Sequence, residues 1–282
     1  MDKKLPNIYW CLIPNSKHYM GNNTGDNSTV RESETPQYTC ELPDFAISRY
    51  PITNGQFKLF VEDEGYSTED YWSDTGKAWL QSQKDRRRAT AESIVKDEET
   101  KKRLNFPCDF VTWYESMAFC RWFTETSGYE VSLPTEEQWE KSARGNDTRI
   151  WPWSNDPDSN RCNVLESNLH QLCAVGTYVT GTLDGCSIFG VADMIGQCYE
   201  WCITLWHIDY HPRNRPDESN HIDNRFEDFR YHRILRGGNY LTALSDATCS
   251  SRTAADPRET AGFRIVTMNT KILKGLNAVF PK

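Results

Sequence analysis

The chain has 282 residues, a hydrophobic fraction of 38%, ten tryptophans and a formal net charge of −8. Enough apolar side chains are present to build a packed core, which excludes a disordered chain. The acidic balance disfavours nucleic-acid binding, because that function needs a basic face. The sequence contains no run of about eighteen apolar residues, so it predicts no membrane span.

The ten cysteines bear on the compartment and on metal binding. The first residues carry no recognisable export signal, because Asn7, Pro14 and Asn15 interrupt the apolar run. We therefore expect a cytoplasmic protein with free, mostly buried thiols. Cys198 and Cys202 lie four residues apart, a spacing that on a helix puts them on one face. They are interpreted as core thiols, with a soft-metal pair as the alternative.

The first hundred residues predict strands, one helix and a charged insertion. Residues 7–21 read as a strand, a turn at Pro14 and a second strand, and "FAIS" at 45–48 reads as another strand. Thr53 is placed to cap a helix. The segment 81–104 is rich in both charge signs, with a basic surplus of three, and predicts an exposed helix or a mobile insertion. A solvated face is the expectation there, with a basic docking site as the alternative.

Two helices follow, each with clear start and stop signals. Thr112 and Glu115 form the pattern of a capping box, and Gly128 marks the end of that helix. Thr135 and Gln138 repeat the pattern, and Gly145 ends the second helix. The rest of the chain to residue 266 is turn-rich with short strands. Two helices followed by many short strands predict one α+β domain with much irregular structure.

Six segments, taken together and in this order, resemble the formylglycine-generating enzyme family, also called the sulfatase-modifying factor family. They are "YPITNGQFKLF", "VTWYESMAFCRWF", "LPTEEQWEKSARG", "WPW", "FGVADMIGQCYEW" and "RILRGGNY" with a later "GFRIV". The resemblance covers nearly the whole chain and implies a C-type-lectin-like fold, with two helices on short twisted antiparallel sheets. It implies a single domain over residues 1–282, with the charged insertion at 81–104.

Enzymes of this family hold Cu(I) between two thiolates in the segment after the Gly-Gly pair. In this chain the first of those places falls near Thr242 and the second near Ser245 or Asp246. Cys249, three residues before Arg252, matches a position that is structural in the family. Since Cu(I) needs a close pair of soft ligands, the resemblance predicts a member without the copper site and leaning away from catalysis.

The alternative is a copper- or iron-dependent oxidase acting on a cysteine or another thiol substrate. A copper oxidase would need a displaced thiol set such as Cys198, Cys202 and Cys249. An iron site, as in the sulfoxide synthases of the family, would use histidines such as His207 and His211. Those synthases carry a histidine-rich helical domain that the sequence does not show ahead of this one.

A third branch of the family uses the fold for binding, and includes the variable proteins of diversity-generating retroelements. There, the segment between Gly-Gly and Gly-Phe-Arg displays contact residues. The resemblance therefore implies a recognition surface from residues 239–260 for a protein partner, in a bacterial signalling or defence assembly. Residues 240–246 and 256–260 are expected to form one exposed surface. The candidate contact residues are Trp206, Asn239, Tyr240, Thr242, Leu244, Asp246, Arg252, Arg258 and Thr260.

The family also has calcium sites, although no cofactor is required for binding. One site uses an Asn that is replaced here by Gln197, followed by Glu200. The other uses an Asn matched by Asn163, next to Val164, with Glu166 or Asp184 as the candidate carboxylate. Calcium prefers such oxygen ligands. The alternative for Asn163 is a turn cap.

Three arginines are expected to hold the loops together. Arg236, Arg252 and Arg264 can each bind carbonyls or carboxylates through several N–H groups. Arg252 is also a candidate for ligand contact. Residues 241–261 contain no asparagine, and diversified family members are rich in it, so the resemblance predicts a fixed specificity.

Overall fold

The computed structural model describes residues 4–23, 30–86, 91–181, 184–206 and 232–279. Helices dominate its first half and strands its second, as predicted for an α+β domain. Within the described ranges, no helix has both the length and the apolar character needed to cross a membrane. The helices are α1 (Asn54–Glu62), α2 (Asp74–Arg86), α3 (Ala91–Val95), α4 (Glu98–Lys101), α5 (Trp113–Ser127), α6 (Glu136–Arg144) and α7 (Thr270–Val279).

The two main helices begin and end where the sequence predicts. Thr112 and Glu115 form a complete capping box at the start of α5, and Gly128 ends that helix in the left-handed conformation with φ 72°. Thr135 and Gln138 form the same box at the start of α6. Each box satisfies backbone N–H groups that a helix start leaves without partners.

An aromatic core fills the space between α1 and α5. The Phe57 and Phe119 rings are stacked at 5.8 Å, and Phe119 meets Phe263 edge to face at 5.3 Å. Trp122 lies against Phe60 at 5.7 Å. All five rings are buried. Burying one such side chain stabilises the fold by about 1.5–3 kcal/mol, so this cluster positions the two helices on the sheet.

The strands form three small sheets. One has the order β1-β4-β9, one pairs β2 with β3, and one has the order β7-β6-β5-β8. The strands are β1 (Trp10–Ile13), β2 (Ser16–Met20), β3 (Tyr38–Leu42), β4 (Phe45–Ser48), β5 (Glu200–Leu205), β6 (Arg233–Arg236), β7 (Arg252–Ala255), β8 (Gly262–Phe263) and β9 (Val266–Thr267).

Two features of the sheets go beyond what the sequence predicted. The strands on either side of Pro14 both exist, but they enter different sheets. The pairing of β5 with β8 is parallel, whereas the resemblance implied antiparallel sheets throughout. Between Glu200 and Gly262 the chain passes the start of α5 before it returns to the edge of the sheet. A parallel pair needs such a long connection and cannot be joined by a hairpin.

The charged insertion is folded onto the core rather than being only a solvated segment. Ala91 and Val95 of α3 are 1% and 0% exposed. The backbone N–H of Ala91 donates to the buried Glu115 carboxylate at 3.0 Å. Three lysines of the insertion form local ion pairs with glutamates, so part of its basic charge is neutralised in place; these are Lys96, Lys101 and Lys102.

Cys198 and Cys202 do not share a helix face. Cys202 lies in the strand β5, and Cys198 lies in the loop just before it. Both are buried, at 5% and 0% exposure. The sulfur of Cys198 fills the space beside Gly262, where a side chain at residue 262 would collide with it. The interpretation of both as core thiols is the one that fits this packing.

Candidate functional site

The candidate site is the segment that connects β6 to β7. It begins with Gly237 and Gly238, which have φ values of 92° and 75°. These left-handed conformations favour glycine. A Cβ atom on Gly237 would also lie 3.0 Å from the backbone oxygen of Met194. The Gly-Gly pair therefore turns the chain sharply out of the sheet, and residues 239–246, named here the display segment, follow it.

Buried arginines hold the base of this segment, as the sequence predicts. Arg252 donates to both carboxylate oxygens of Glu136, at 2.7 and 2.9 Å. Arg264 does the same with Glu200, at 2.6 and 2.7 Å. Arg236 donates to two backbone carbonyls in the turn before β7. Such two-pronged, charge-assisted bonds fix both partners, so the site stands on a rigid base.

The candidate contact residue Arg252 lies in the interior. It is 5% exposed, and its guanidinium is taken up by Glu136. The Trp206 ring lies over it, with the guanidinium carbon 4.4 Å from the ring centroid. A ligand could reach Arg252 only by displacing a buried ion pair, so the expectation of ligand contact for this residue is corrected.

Thr242 lies near the position at which the resemblance places the first copper thiol of the family's enzymes. Its hydroxyl donates to the Asn239 side-chain oxygen at 3.0 Å and lies 3.3 Å from the Tyr199 hydroxyl. It also accepts the backbone N–H of Asn239 at 3.0 Å. These bonds close a tight turn that projects Leu241 outward, with 54% of that residue exposed. In this chain the residue at this position stabilises the loop through hydrogen bonds of its hydroxyl group and provides no thiolate.

A pocket of about 450 Å³ opens beside the display segment. The indole N–H of Trp151 donates to the backbone oxygen of Leu244 at 3.2 Å. The carboxylate of Glu166 accepts the backbone N–H of Leu244 at 2.9 Å. Trp151 and Glu166 thus both bind the backbone of Leu244 and connect their own segments to the display segment beside the cavity. Its lining residues are Ile150, Trp151, Pro157, Ser159, Glu166, Leu244 and Ser245.

Leu244 belongs to the wall of this pocket and not to an exposed surface. It is 7% exposed and packs with Trp151, Val164 and Ala247 in a small core cluster. Sequence reasoning therefore found the segment but gave Leu244 the wrong role. It also missed Trp151, which the "WPW" motif could have revealed, and Pro157, which lies four residues beyond that motif and carries no comparable signal.

Exposed leucines lie close in the chain to Glu166 and Leu244 of the pocket. Leu165 and Leu169 are each 41% exposed, and Leu241 is 54% exposed. The backbone N–H of Leu165 donates to the backbone oxygen of Thr242 at 3.0 Å, which joins the two leucine-bearing turns. Single exposed leucines are ordinary, but several beside one pocket mark a surface suited to binding.

The segment 256–260 lies elsewhere. The register of the β6-β7 pair runs from Arg236 opposite Arg252 to Arg233 opposite Ala255. The display segment leaves the first end of this pair, and the segment 256–260 leaves the other end. The expectation that both form one surface is therefore wrong, because a β-pair separates its two ends.

Contacts of the second segment confirm this separation. The backbone oxygen of Pro257 accepts the N–H of Trp113, at the start of α5. Arg258 is exposed and held by its neighbour Asp256 in an ion pair. Thr260 is exposed. Arg258 and Thr260 therefore lie beside α5 and are not partners of the display segment.

Two of the candidate calcium ligands are taken up by protein groups. Asn163 is 0% exposed, and its amide donates to the backbone oxygen of Gln171 at 2.9 Å and to the side chain of Gln197 at 3.0 Å. Its own side-chain oxygen accepts the Ser167 hydroxyl at 3.1 Å. Val164 is buried in the cluster behind the pocket. Asn163 thus stabilises its turn through hydrogen bonds, a role close to the turn cap that the sequence analysis gave as the alternative.

Two of the candidate carboxylates serve other partners. Glu166 supports the display segment at Leu244, and Glu200 is neutralised by Arg264 and accepts the Trp139 indole N–H at 2.8 Å. In the described part of the chain, no three His, Cys, Asp or Glu residues are grouped to hold a metal. Asn163, Glu166 and Glu200 are thus already bonded to protein groups, and calcium would have to compete with those bonds.

The cysteines are all free and mostly buried. Burial raises the pKa of the Cys249 thiol to about 12, and raises that of Cys198 and Cys202 well above the ordinary value. Cys202 and Cys249 belong to one core cluster. Cu(I) binds thiolates, and such burial keeps these thiols protonated. The histidines considered for iron, His207 and His211, lie outside the described residues.

The profile of the "Sulfatase-modifying factor enzyme 1-like domain" matches residues 3–269. The chain is 27% identical to a formylglycine-generating enzyme of Thermomonospora curvata, over 89% of this chain and 91% of that one. It is 27% identical to a hercynine oxygenase of Mycolicibacterium smegmatis, but spans only 44% of that protein. It is also 27% identical to a protein of Bos taurus named inactive C-alpha-formylglycine-generating enzyme 2, over 67% of this chain and 68% of that one.

Solved structures share the fold. PvdO from Pseudomonas aeruginosa superposes with a TM-score of 0.68 at 18% identity, over 94% of this chain and 99% of that one. Treponema denticola variable protein 1 superposes with a TM-score of 0.62 at 17% identity, over 92% and 95%. At these identities the likeness concerns the fold alone.

Proposed function

Because the chain belongs to the formylglycine-generating enzyme (sulfatase-modifying factor) family, we propose that it is a non-catalytic member that binds a protein partner. The binding surface consists of the display segment and the facing turns of residues 150–169. The partner is a component of a bacterial signalling or defence assembly, and the domain acts in the cytoplasm without a required cofactor.

One observation carries this proposal: the display segment forms part of the wall of a pocket, in the segment where the resemblance places the copper thiols of the family's enzymes. Thr242 is bonded into a turn, and Leu244 forms the pocket wall. Exposed leucines lie close in the chain to two of its lining residues. An apolar cavity with a few placed polar groups is the usual form of a binding site.

The relatives support this reading without deciding it. The bovine relative is named an inactive formylglycine-generating enzyme, so similarity to this family is compatible with a lack of that activity. The relatives named formylglycine-generating enzyme and hercynine oxygenase support the competing proposal, an oxidase that acts on a thiol substrate.

The proposal is tested by changing the exposed leucines of the surface. Leu165→Asp with Leu241→Asp places two charges where the partner would bury apolar side chains. Tagged chains are expressed in the native cells, and co-purified proteins are identified and quantified. Each buried leucine contributes about 1.5–3 kcal/mol, and ~1.4 kcal/mol is a factor of ten, so recovery of the partner should fall at least about tenfold.

Ile188→Asp is the matched control, because Ile188 is 52% exposed and is neither part of the pocket nor one of these exposed leucines. All three positions are exposed, so folding should survive in both variants. The proposal fails if no protein is lost from the double variant, or if the control variant loses the same protein to the same extent.

A further inference from the structure

We propose that the pocket beside the display segment binds a basic side chain, lysine or arginine, presented by an extended segment of the partner. This inference rests on the proposed function and names the chemistry of its ligand. The aliphatic stem would lie against the apolar wall, and the cationic head would pair with Glu166.

The wall of the pocket suits an aliphatic stem. Ile150, Trp151, Pro157 and Leu244 supply apolar surface on several sides. Long basic side chains bury their methylene groups along such surfaces while their charged ends stay near water. The cavity of about 450 Å³ is within the range of small-ligand sites, so it has room for a side chain together with part of its backbone.

The charged group in the pocket lining is the carboxylate of Glu166. One oxygen of Glu166 is fixed by the backbone N–H of Leu244, which holds the carboxylate in position. Within the described ranges, no lysine or arginine forms an ion pair with Glu166. An exposed, oriented carboxylate beside an apolar wall complements a cation at the end of an apolar stem.

The basic residues near the pocket are already neutralised, which disfavours an anionic ligand. Each of three arginines is paired with an aspartate by a short contact. Arg31 also ties the turn before β3 to the display segment through its partner. The pairs are Arg31 with Asp246, Arg149 with Asp147, and Arg161 with Asp158.

The experiment uses four acetylated and amidated tripeptides, in which the central residue between two glycines is lysine, arginine, acetyl-lysine or norleucine. Binding to the full chain is followed by NMR titration of isotope-labelled tryptophan indole N–H signals. The Trp151 signal is assigned with Trp151→Phe. The two basic peptides should bind about threefold or more tightly than the two neutral ones, as expected for one partly exposed ion pair. The order of lysine and arginine identifies which cation the site prefers.

Glu166→Gln removes the charge but keeps an oxygen for the Leu244 N–H, so it should abolish the preference for basic peptides without opening the loop. Glu125→Gln, on the exposed face of α5, is the matched control and should retain the preference. Equal affinity for lysine and norleucine peptides, absence of binding by all four, or a preference that survives Glu166→Gln would overturn the inference. Partner recovery that depends on Leu165 and Leu241 but not on Glu166 would sink this inference alone and leave the proposed function standing.

Discussion

The side-chain amide of Asn163 donates a 3.0 Å hydrogen bond to the side-chain oxygen of Gln197, and both residues are buried. The same oxygen accepts the backbone N–H of Cys173 at 3.2 Å. The backbone oxygen of Gln197 accepts the N–H of Tyr240 in the display segment at 3.2 Å. The side-chain pair of Asn163 and Gln197 therefore links three loops, one of which is the display segment of the proposed binding surface.

Asn163→Ala should destabilise the fold. It removes the donor to Gln197 and to Gln171 and leaves their oxygens short of partners in a buried place. Such a loss costs about 1–3 kcal/mol. Urea denaturation followed by tryptophan fluorescence measures the change in the free energy of unfolding, and no loss of stability would contradict the role given to Asn163.

Calcium should not stabilise the parent chain, because the amide pair and the arginine-bound Glu200 already use the candidate ligands. A ligand that binds only the folded state raises the melting temperature by mass action. A clear rise in melting temperature with millimolar calcium, absent with magnesium, would contradict this part of the account.

His18 should contribute a loss of stability in mild acid. Burial between β2 and α6, with Lys141 and Arg144 as charged neighbours, lowers the pKa of His18 from 6.5 to about 4. Between these values the unfolded chain takes up a proton that the folded chain refuses, so stability is lost as the pH falls from 6.5 towards 4. The loss from this residue is about 3 kcal/mol.

His18→Leu should remove that part of the pH dependence. Urea midpoints at several pH values give the slope, and the matched control is His170→Gln, at an exposed histidine. An unchanged acid slope in His18→Leu would show that the buried imidazole is not the source.

Asp193 should act in the opposite direction over nearly the same range. Burial raises its pKa from 3.8 to about 6, although the nearby Arg264 and Arg49 partly oppose this. Between these values the unfolded chain releases its proton first, so the folded chain loses stability as the pH rises. The cost at neutral pH is about 2–3 kcal/mol.

Asp193→Asn keeps an oxygen for the Gly176 N–H, which Asp193 accepts at 2.7 Å. This variant should be more stable than the parent at neutral pH, and the advantage should vanish below about pH 4, where Asp193 is protonated in both states. A variant that is less stable than the parent at neutral pH would refute the assignment.

The cysteines should be reduced in the native cell. All ten are free in the structure, and most are buried. Thiol titration under denaturing, non-reducing conditions, after rapid alkylation of intact cells, counts them. Recovery of fewer than half as free thiols would contradict the cytoplasmic proposal.

Local signals in the sequence predicted the helices and the buried arginines well. The capping boxes at Thr112 and Thr135 depend on neighbours three residues away, so a single sequence contains the information. Arg236 and Arg264 were recognised because a buried arginine must find acceptors wherever it lies. The family resemblance added the fold and the position of the display segment.

The burial of Leu244 and Arg252 and the position of Arg258 depend on contacts between residues far apart in the chain, which no local sequence pattern predicts. Leu244 faces inward because Trp151, more than ninety residues earlier in the chain, holds its backbone. Arg252 is buried because its guanidinium pairs with Glu136, at the start of α6 and more than a hundred residues earlier in the chain. Arg258 is separated from the display segment by the length of a β-pair whose register no local pattern reveals.

The most direct test of the central claim is a Cu(I) titration of the purified, reduced chain, followed by oxygen uptake with a cysteine-containing peptide. The resemblance places the first copper thiol near Thr242 and the second near Ser245 or Asp246, none of which is cysteine, and Cys249 is buried and protonated. A binding domain should take up no Cu(I) in competition with a strong chelator and should consume no oxygen above the level of free copper. Tight, stoichiometric Cu(I) uptake that disappears in Cys249→Ser, together with peptide oxidation, would contradict the account.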